Sequence, residues 1–399
     1  MKKGWETKEL ASVSVINYGY TESASSEPVG PRFLRITDIQ NDCVDWESVP
    51  YCKIKPVDLP KYQLATDDIV FARTGATTGK SFLVRDPPEA VFASYLIRLR
   101  LIGQKILPEF VSLFFQTGGY WQSIKEGSSG SAQGGFNASK LGALRIPTPS
   151  LPEQRRIVGI LDEAFAGIAT AKANAEKNLQ NARALFESDL NAVFSQKGEG
   201  WVETTLGEIT AGVFTGPFGS LLHKSDYIEN GIPLVNPAHI DETGIKPDIN
   251  KTVSQQTAKR LDSYIMRKGD IVIGRRGEMG RCALVTEVED GWLCGTGSFF
   301  IRHSGRCSER YLVRFLRSGG CRERLEKLAG GAVMPNLSNS ALENLALDLP
   351  PLVRQNEIVE KIDALSAETR RLESIYQQKL AALDALKKSL LHQAFSGNL

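Results

Sequence analysis

The stretch "DDIVFARTGATTGKSFLV" (residues 67–84) carries the residue types of a phosphate-binding loop. An apolar run at 69–71 enters a glycine-bearing segment that ends in Gly79-Lys80-Ser81. A nucleotide-binding loop needs G-x-x-x-x-G-K-[S/T], so that backbone N–H groups cradle phosphates and the lysine reaches them. Thr74 stands where the first of those glycines is required, and Gly75 comes one place late. Two chemistries compete: a damaged ATP site, or a basic loop that meets phosphate in another way.

A repeat in the chain separates them. Shifted by about 201 residues, the sequence matches itself, and from Phe136 onward the shift runs without a gap. A period this long marks a duplicated domain pair rather than a solenoid. The second loop reads "GRRGEMGRCAL" and has no Gly-Lys-Ser. The copies share D-I-V, an arginine (Arg73, Arg275), two glycines and a closing basic residue (Lys80, Arg281); Arg276 adds a charge in the second. Glycine permits close backbone approach, and arginine suits phosphate or guanine. Contact with phosphate or guanine by Arg73, Lys80, Arg275, Arg276 and Arg281 therefore outweighs ATP binding, and a structural hairpin with solvated charges is the remaining alternative for each residue singly.

Other polar positions join this set. Arg35 and Asn236 occupy matching places in "GPRFLRITDI" (30–39) and "GIPLVNPAHI" (231–240). Gln133 and Asn137 lie in the glycine-rich "GSSGSAQGGFNASK" (127–140), and Asn336 lies in its counterpart "GGAVMPNLSNS" (330–340). Gln and Asn side chains can make paired hydrogen bonds to adenine. Arg310, Arg314 and Arg317 share one helical face, but copy one has Glu109, Leu113 and Gln116 there, so this face reads as solvated charge. Asp86-Pro87-Pro88-Glu89 lacks the aromatic of an amino-methyltransferase motif and reads as a turn.

The elements that position these residues follow from patterning. Each copy opens with about 150 residues of short apolar runs broken by Gly, Pro and Asn, an α+β signature. Strands are expected near 33–39, 69–72, 81–84 and 95–101, and a helix near 109–126. Each copy closes with a proline-free helical segment after Pro152 or Pro351. Its apolar residues recur at three and four, giving a coiled-coil seam through Ile157, Leu161, Ile168, Leu179 and Leu185, and through Ile358, Ile362, Leu372, Leu380 and Leu386. Such a stripe needs a partner, and the other copy's helix is the simplest one. The expected organisation is a globular domain (1–150), a spacer helix (151–198), a second globular domain (199–350) and a second helix (351–399). Because the two helices differ only in detail, a free 1–198 half is expected to pair with a second copy of itself.

Bulk properties exclude several classes. The chain has 399 residues and a net charge of +2. Residues 1–150 carry 17 basic against 15 acidic side chains, and 201–350 carry 18 against 18, so a nucleic-acid surface must be local. Six scattered cysteines form no C-x-x-C pair, which argues against zinc and for a cytoplasmic protein. No apolar stretch approaches 18 residues, so a membrane span is not expected.

Taken together, these features resemble the specificity (S) subunit of Type I restriction–modification enzymes. The resemblance covers essentially the whole chain. It rests on "WETKEL" and "WVETTLGEI" opening each half, on "FTGPFGSLLHKSDYIENGIPLVNPAHI" (214–240) and on the two D-I-V loops. It rests also on "GSSGSAQGGFNASKLGALRIPTPSLPEQRRIVGILD" (127–162) with its counterpart "NLSNSALENLALDLPPLVRQNEIVEKID" (336–363). The second half departs at 335–336, where Pro-Asn stands for Gln133, and at Arg354, which stands for Glu153. The resemblance implies two target recognition domains joined by two long helices in an antiparallel coiled coil. It implies a chain with no catalytic residues, metal or cofactor of its own. Its partners would be double-stranded DNA, two methyltransferase subunits using S-adenosylmethionine, and restriction subunits using ATP and magnesium. A coiled-coil P-loop ATPase and a coiled-coil adaptor without DNA binding are the alternatives.

Overall fold

The computed structural model describes residues 4–40, 42–128, 135–218, 221–329 and 336–399. The chain forms two compact units. Unit 1 comprises residues 1–176 and 377–399, and unit 2 comprises 177–376. Each unit thus contains one globular part and portions of both long helices.

Unit 1 is built on a four-stranded antiparallel sheet of β1 (Ser14–Tyr18), β2 (Ile69–Ala72), β3 (Ser81–Leu83) and β4 (Leu96–Leu101), in the order β1-β4-β2-β3. Ile69 lies opposite Leu99 on one side and Leu83 on the other. All four residues of β2 are buried, as a short apolar run in a covered central strand should be. Alternation sends Ile69 and Phe71 to one core and Val70 and Ala72 to another. The first of these cores is closed by α1 (Pro108–Phe114) and α2 (Gly118–Ser128). A short helix, α3 (Ala138–Gly142), leads towards the long α4 (Leu151–Ser195).

Unit 2 repeats the plan. Its sheet contains β5 (Thr210–Thr215), β6 (Ile271–Gly274), β7 (Cys282–Leu284) and β8 (Ser298–His303), in the order β5-β8-β6-β7. Helices α5 (Glu309–Arg317), α6 (Gly319–Leu328) and α7 (Asn339–Glu343) precede the long α8 (Leu352–Ser396).

The long helices pair antiparallel. In unit 1, Arg156 Nη2 donates to the Leu399 carbonyl (2.7 Å) and Lys172 pairs with Asp384, so the numbers fall along α8 as they rise along α4. In unit 2, Arg183 Nε donates to Glu373 Oε1 (2.5 Å). Apolar clusters secure both contacts. Ile157 and Leu161 pack with Leu391 and Ala394 in unit 1, and Leu190 packs with Ile358 and Ile362 in unit 2.

Three expectations need correction. The single helix near 109–126 is two helices. Thr117 accepts the Tyr120 N–H at 3.2 Å, and Ser318 does the same for Cys321 at 3.3 Å, so a cap ahead of each Gly-Gly pair starts a new helix. The strand expected over 33–39 stops at Leu34, where Arg35 begins a tight turn closed by Asp38. Within the seam, Ile157, Leu161, Ile168, Ile358 and Ile362 are buried and Leu179, Leu372 and Leu380 half-buried, but Leu185 is 65% and Leu386 47% exposed. The seam follows about 3.6 residues per turn rather than a strict heptad, and so drifts by one position. Phe186 and Lys387 take those places, and the Lys387 ammonium lies 4.7 Å from the Phe165 ring centroid.

Candidate nucleic-acid interface

The basic loops are the turns of two equivalent hairpins, β2–β3 and β6–β7. Each is anchored from below by the aspartate of D-I-V. Asp68 is buried and accepts two hydrogen bonds from Arg100 at 2.7 Å. Asp270 is buried against Arg302 at 3.0 Å; burial raises its pKa, and the Arg267 backbone N–H and the Arg302 charge oppose that rise. Both aspartates accept from a backbone N–H three residues upstream, at Ala65 and Arg267, which fixes the entry to the strand.

The two glycines of each loop do different work. A side chain at Gly79 would lie 2.8 Å from Ile124 Cγ2, and one at Gly280 would lie 2.8 Å from the Leu316 carbonyl. These glycines let the loop pack on α2 and against the end of α5. Gly75 (φ +77°) and Gly277 (φ +80°) instead face open space, where another backbone can approach. Gly79-Lys80-Ser81 runs into strand β3 rather than a helix N-terminus. A P-loop uses that N-terminus to hold phosphate, so this loop lacks the geometry of an ATP site.

Beside each loop lies the segment that follows the glycine-rich stretch. The Phe136 N–H donates to the Arg73 carbonyl (2.8 Å), and the Leu337 N–H donates to the Arg275 carbonyl (3.0 Å). Thr74 bridges to Gly135, and Arg276 bridges to Asn336. Both units thus join the two segments that carry most of the candidate DNA contacts.

The side chains are held differently. Arg73 Nε donates to the Ser94 carbonyl (2.9 Å), and its guanidinium lies 5.0 Å from the Tyr18 ring centroid. Its terminal nitrogens have no hydrogen-bond partner among the described residues, and Lys80 is exposed. In unit 2, Arg275 Nε and Arg276 Nε share Asn336 Oδ1 at 3.1 and 3.4 Å. Burial, and then the neighbouring Arg276 charge, lower the pKa of Arg275.

Other candidates are already engaged. Arg35 pairs with Asp38 at 2.7 Å, and Arg281 pairs with Glu278. Asn137 caps α3 by accepting the Lys140 N–H at 2.9 Å, and Ser338 caps α7 in the same way. Asn236 Oδ1 accepts from Gly297 N–H at 3.5 Å, and the Gly297 carbonyl in turn holds Arg275 N–H at 3.0 Å, so Asn236 supports the loop from behind. Gln133 lies outside the described residues.

Sequence reasoning missed the aromatics. Tyr18, Tyr95 and Trp121 are exposed around the first loop, and Phe214 and Phe218 are exposed in unit 2. A clue was available in "NYGY". A Cβ at Gly19 would come within 2.1 Å of the Ala93 carbonyl, and one at Gly216 within 2.0 Å of the Gly295 carbonyl. The strand end that carries Tyr18 is therefore pressed against the 92–95 turn.

A family model described as "Type I restriction modification DNA specificity domain" matches residues 2–180 and again 198–381. The chain belongs to this family. Among curated relatives, the StySPI specificity subunit of Salmonella potsdam is 25% identical, with all of this chain and 90% of that one covered. The EcoKI specificity subunit of Escherichia coli K12 is 23% identical over the same shares. A chain solved in work on assembly of a type I R-M system has a TM-score of 0.80 at 20% identity, covering 100% of this chain and 99% of that one. The HsdS subunit of Thermoanaerobacter tengcongensis has a TM-score of 0.65 at 19% identity, covering 100% and 98%. These structures share the fold: two tandem recognition domains and two long helices. As a type I specificity protein, the chain has two recognition domains, each with a basic hairpin loop held by its own sheet and helices. Among the described residues no cluster of His, Cys, Asp or Glu could hold a metal, and no helix is long and apolar enough to cross a membrane.

Proposed function

We propose that this chain is the DNA-reading subunit of a Type I restriction–modification complex and performs no chemical step itself. Each recognition domain reads one half of an asymmetric, interrupted duplex site. One observation carries this reading: in both units the hairpin loop with its arginine is hydrogen-bonded to the segment after the glycine-rich stretch. Arg73 and Lys80 serve the first half-site, and Arg275, Arg276 and Asn336 the second. The chain positions two methyltransferase subunits, which bring S-adenosylmethionine, and restriction subunits, which bring ATP and magnesium. The complex works in the cytoplasm, where its DNA is.

The test is methylome sequencing of cells that express the chain with its methyltransferase partner. A two-part methylated motif is expected, and Arg73→Ala and Arg275→Ala should each relax a different part of it. A purified complex with no affinity for duplex DNA would refute the reading.

A further inference from the structure

The gapless shift of 201 residues gives every position of α4 a counterpart in α8. Lys172 corresponds to Glu373, and Arg183 corresponds to Asp384. These four residues make two interhelical ion pairs, Lys172 with Asp384 in unit 1 and Arg183 with Glu373 in unit 2. The contact is one contact made twice. In both, α4 supplies the cation and α8 the anion.

Duplication alone would not produce this. A freshly duplicated pair of helices carries the same residue at each corresponding position. An α4–α4 pairing would then be as good as an α4–α8 pairing. Here an α4–α4 pair in the same register would set Lys172 against Arg183 at two places. An α8–α8 pair would set Glu373 against Asp384 at two places. Charges flanking an apolar seam are known to set partner choice in coiled coils.

We propose that these four charges select the partner helix: α4 accepts an α8 and rejects a second α4, and α8 likewise rejects its own kind. The expectation that residues 1–198 would pair with a second copy of themselves is therefore reversed. The occupant that fits an open α4 is the α8 of this chain or of another copy. Each exposed pair is weak alone. Exchanging two attractive contacts for two repulsive ones is expected to change pairing roughly tenfold. Because the pairs are exposed, the preference should fade in salt, where the Debye length falls to about 3 Å near 1 M.

The full-length chain allows the test. Arg183→Glu with Asp384→Lys makes both contacts within the chain repulsive and both like-helix contacts attractive. Arg183→Glu with Glu373→Arg changes as many charges but keeps both contacts within the chain attractive. Sedimentation over a concentration series should show the first variant self-associating roughly tenfold more strongly than the second, which should fall between it and the parent because its like-helix contacts are attractive too. The gain should vanish in about 1 M salt. Equal self-association of the two variants at low salt would overturn the proposal. Should the first variant fail to fold, Lys172→Glu, Asp384→Lys and their combination close a cycle in thermal midpoints. The combination should regain what each single change loses, and additive losses would overturn the selection.

Discussion

The two hairpin loops differ most where they face solvent and least where they are held. Beneath both lies a buried aspartate paired to an arginine of the neighbouring strand, Asp68 with Arg100 and Asp270 with Arg302. Both have one glycine that packing requires and one in open space. Above this frame, Arg73 is fixed by a main-chain carbonyl and lies over Tyr18, whereas Arg275 and Arg276 are fixed by the side chain of Asn336. The backbone frame is thus common, and the guanidinium placement is local. A reading surface of this kind can change its target by side-chain exchange without disturbing the sheet.

The strongest test of a common frame concerns Gln154 and Gln355, which are buried at matching positions. Gln154 Oε1 accepts the Leu107 N–H (2.9 Å), and its Nε2 donates to the Lys105 and Pro149 carbonyls (3.0 and 2.8 Å). Gln355 accepts the Ser308 N–H (2.7 Å) and donates to the Pro350 carbonyl (2.8 Å). Each ties the start of a long helix to the strand–helix turn before α1 or α5. Leucine at either position leaves buried backbone groups without partners, at about 1–3 kcal/mol per group. Gln154→Leu is expected to cost about 3–5 kcal/mol and Gln355→Leu about 2–4 kcal/mol, read by denaturant melts. A silent change in one unit would end the claim of a shared frame.

A test of the difference lies in the loops. Arg275→Ala should cost about 1–3 kcal/mol, confined to one half-site, if the side chain reads a base. If it meets phosphate, binding should weaken for all sequences and the salt slope should fall by about one unit. Asn336→Ala removes no charge but releases both arginines. It is expected to blur specificity at the second half-site and leave the salt slope unchanged. No side-chain substitution can release Arg73 in the same way, because its acceptor is the Ser94 carbonyl. If Asn336→Ala left the methylated motif intact, the two loops would be equivalent after all.

A smaller effect separates frame from surface at Asn137. Its Oδ1 caps α3, as Ser338 caps α7. Asn137→Ala and Ser338→Ala should each cost about 1 kcal/mol of stability. Titration of the Asn137→Ala complex with duplex DNA should return the parental affinity. A loss of affinity larger than the loss of stability would return Asn137 to the reading surface.

Much of this frame was legible in the sequence because the chain states it twice. The D-I-V strands, the long helices and the glycine pairs that open α2 and α6 appear at matching positions, and apolar period fixes the faces of the helices and strands. The partners of polar side chains were less legible. Asp38 and Glu278 each lie only three residues from the arginine they occupy, Arg35 and Arg281, a local clue that sequence reasoning missed. A solvated face does not describe Arg310, Arg314 and Arg317 either. The first two pair with Asp363 of α8, and Arg317 donates to the carbonyls of Asp241, Glu242 and Cys282. Those acceptors are remote in the chain or lie on the main chain, where a residue pattern cannot show them.

The same arginines define the last and smallest contrast. In unit 2 the anion on the long helix, Asp363, faces Arg310 and Arg314. Its counterpart in unit 1, Asp162, has Glu109 where Arg310 stands, with Arg85 bridging Glu109 and Asp67. Burial, then the Glu109 charge, raise the pKa of Asp162, and Arg85 only partly offsets them. Glu109 itself is pushed up by burial, but the Arg85 hydrogen bond prevails and its pKa falls. A carboxyl whose pKa is higher in the folded chain than in the unfolded chain holds its proton better when folded. Its contribution is therefore intact below the ordinary aspartate range and is lost as pH rises through the raised value. Asp162→Asn should accordingly raise the thermal midpoint at neutral pH and have no such effect near pH 3, a gain of about a few tenths of a kcal/mol for so exposed a group. Asp363→Asn removes the acceptor of two guanidiniums and should lower the midpoint at neutral pH. If both substitutions shifted the midpoint in the same direction at neutral pH, the two domain–helix junctions would not have the opposite electrostatics assigned to them.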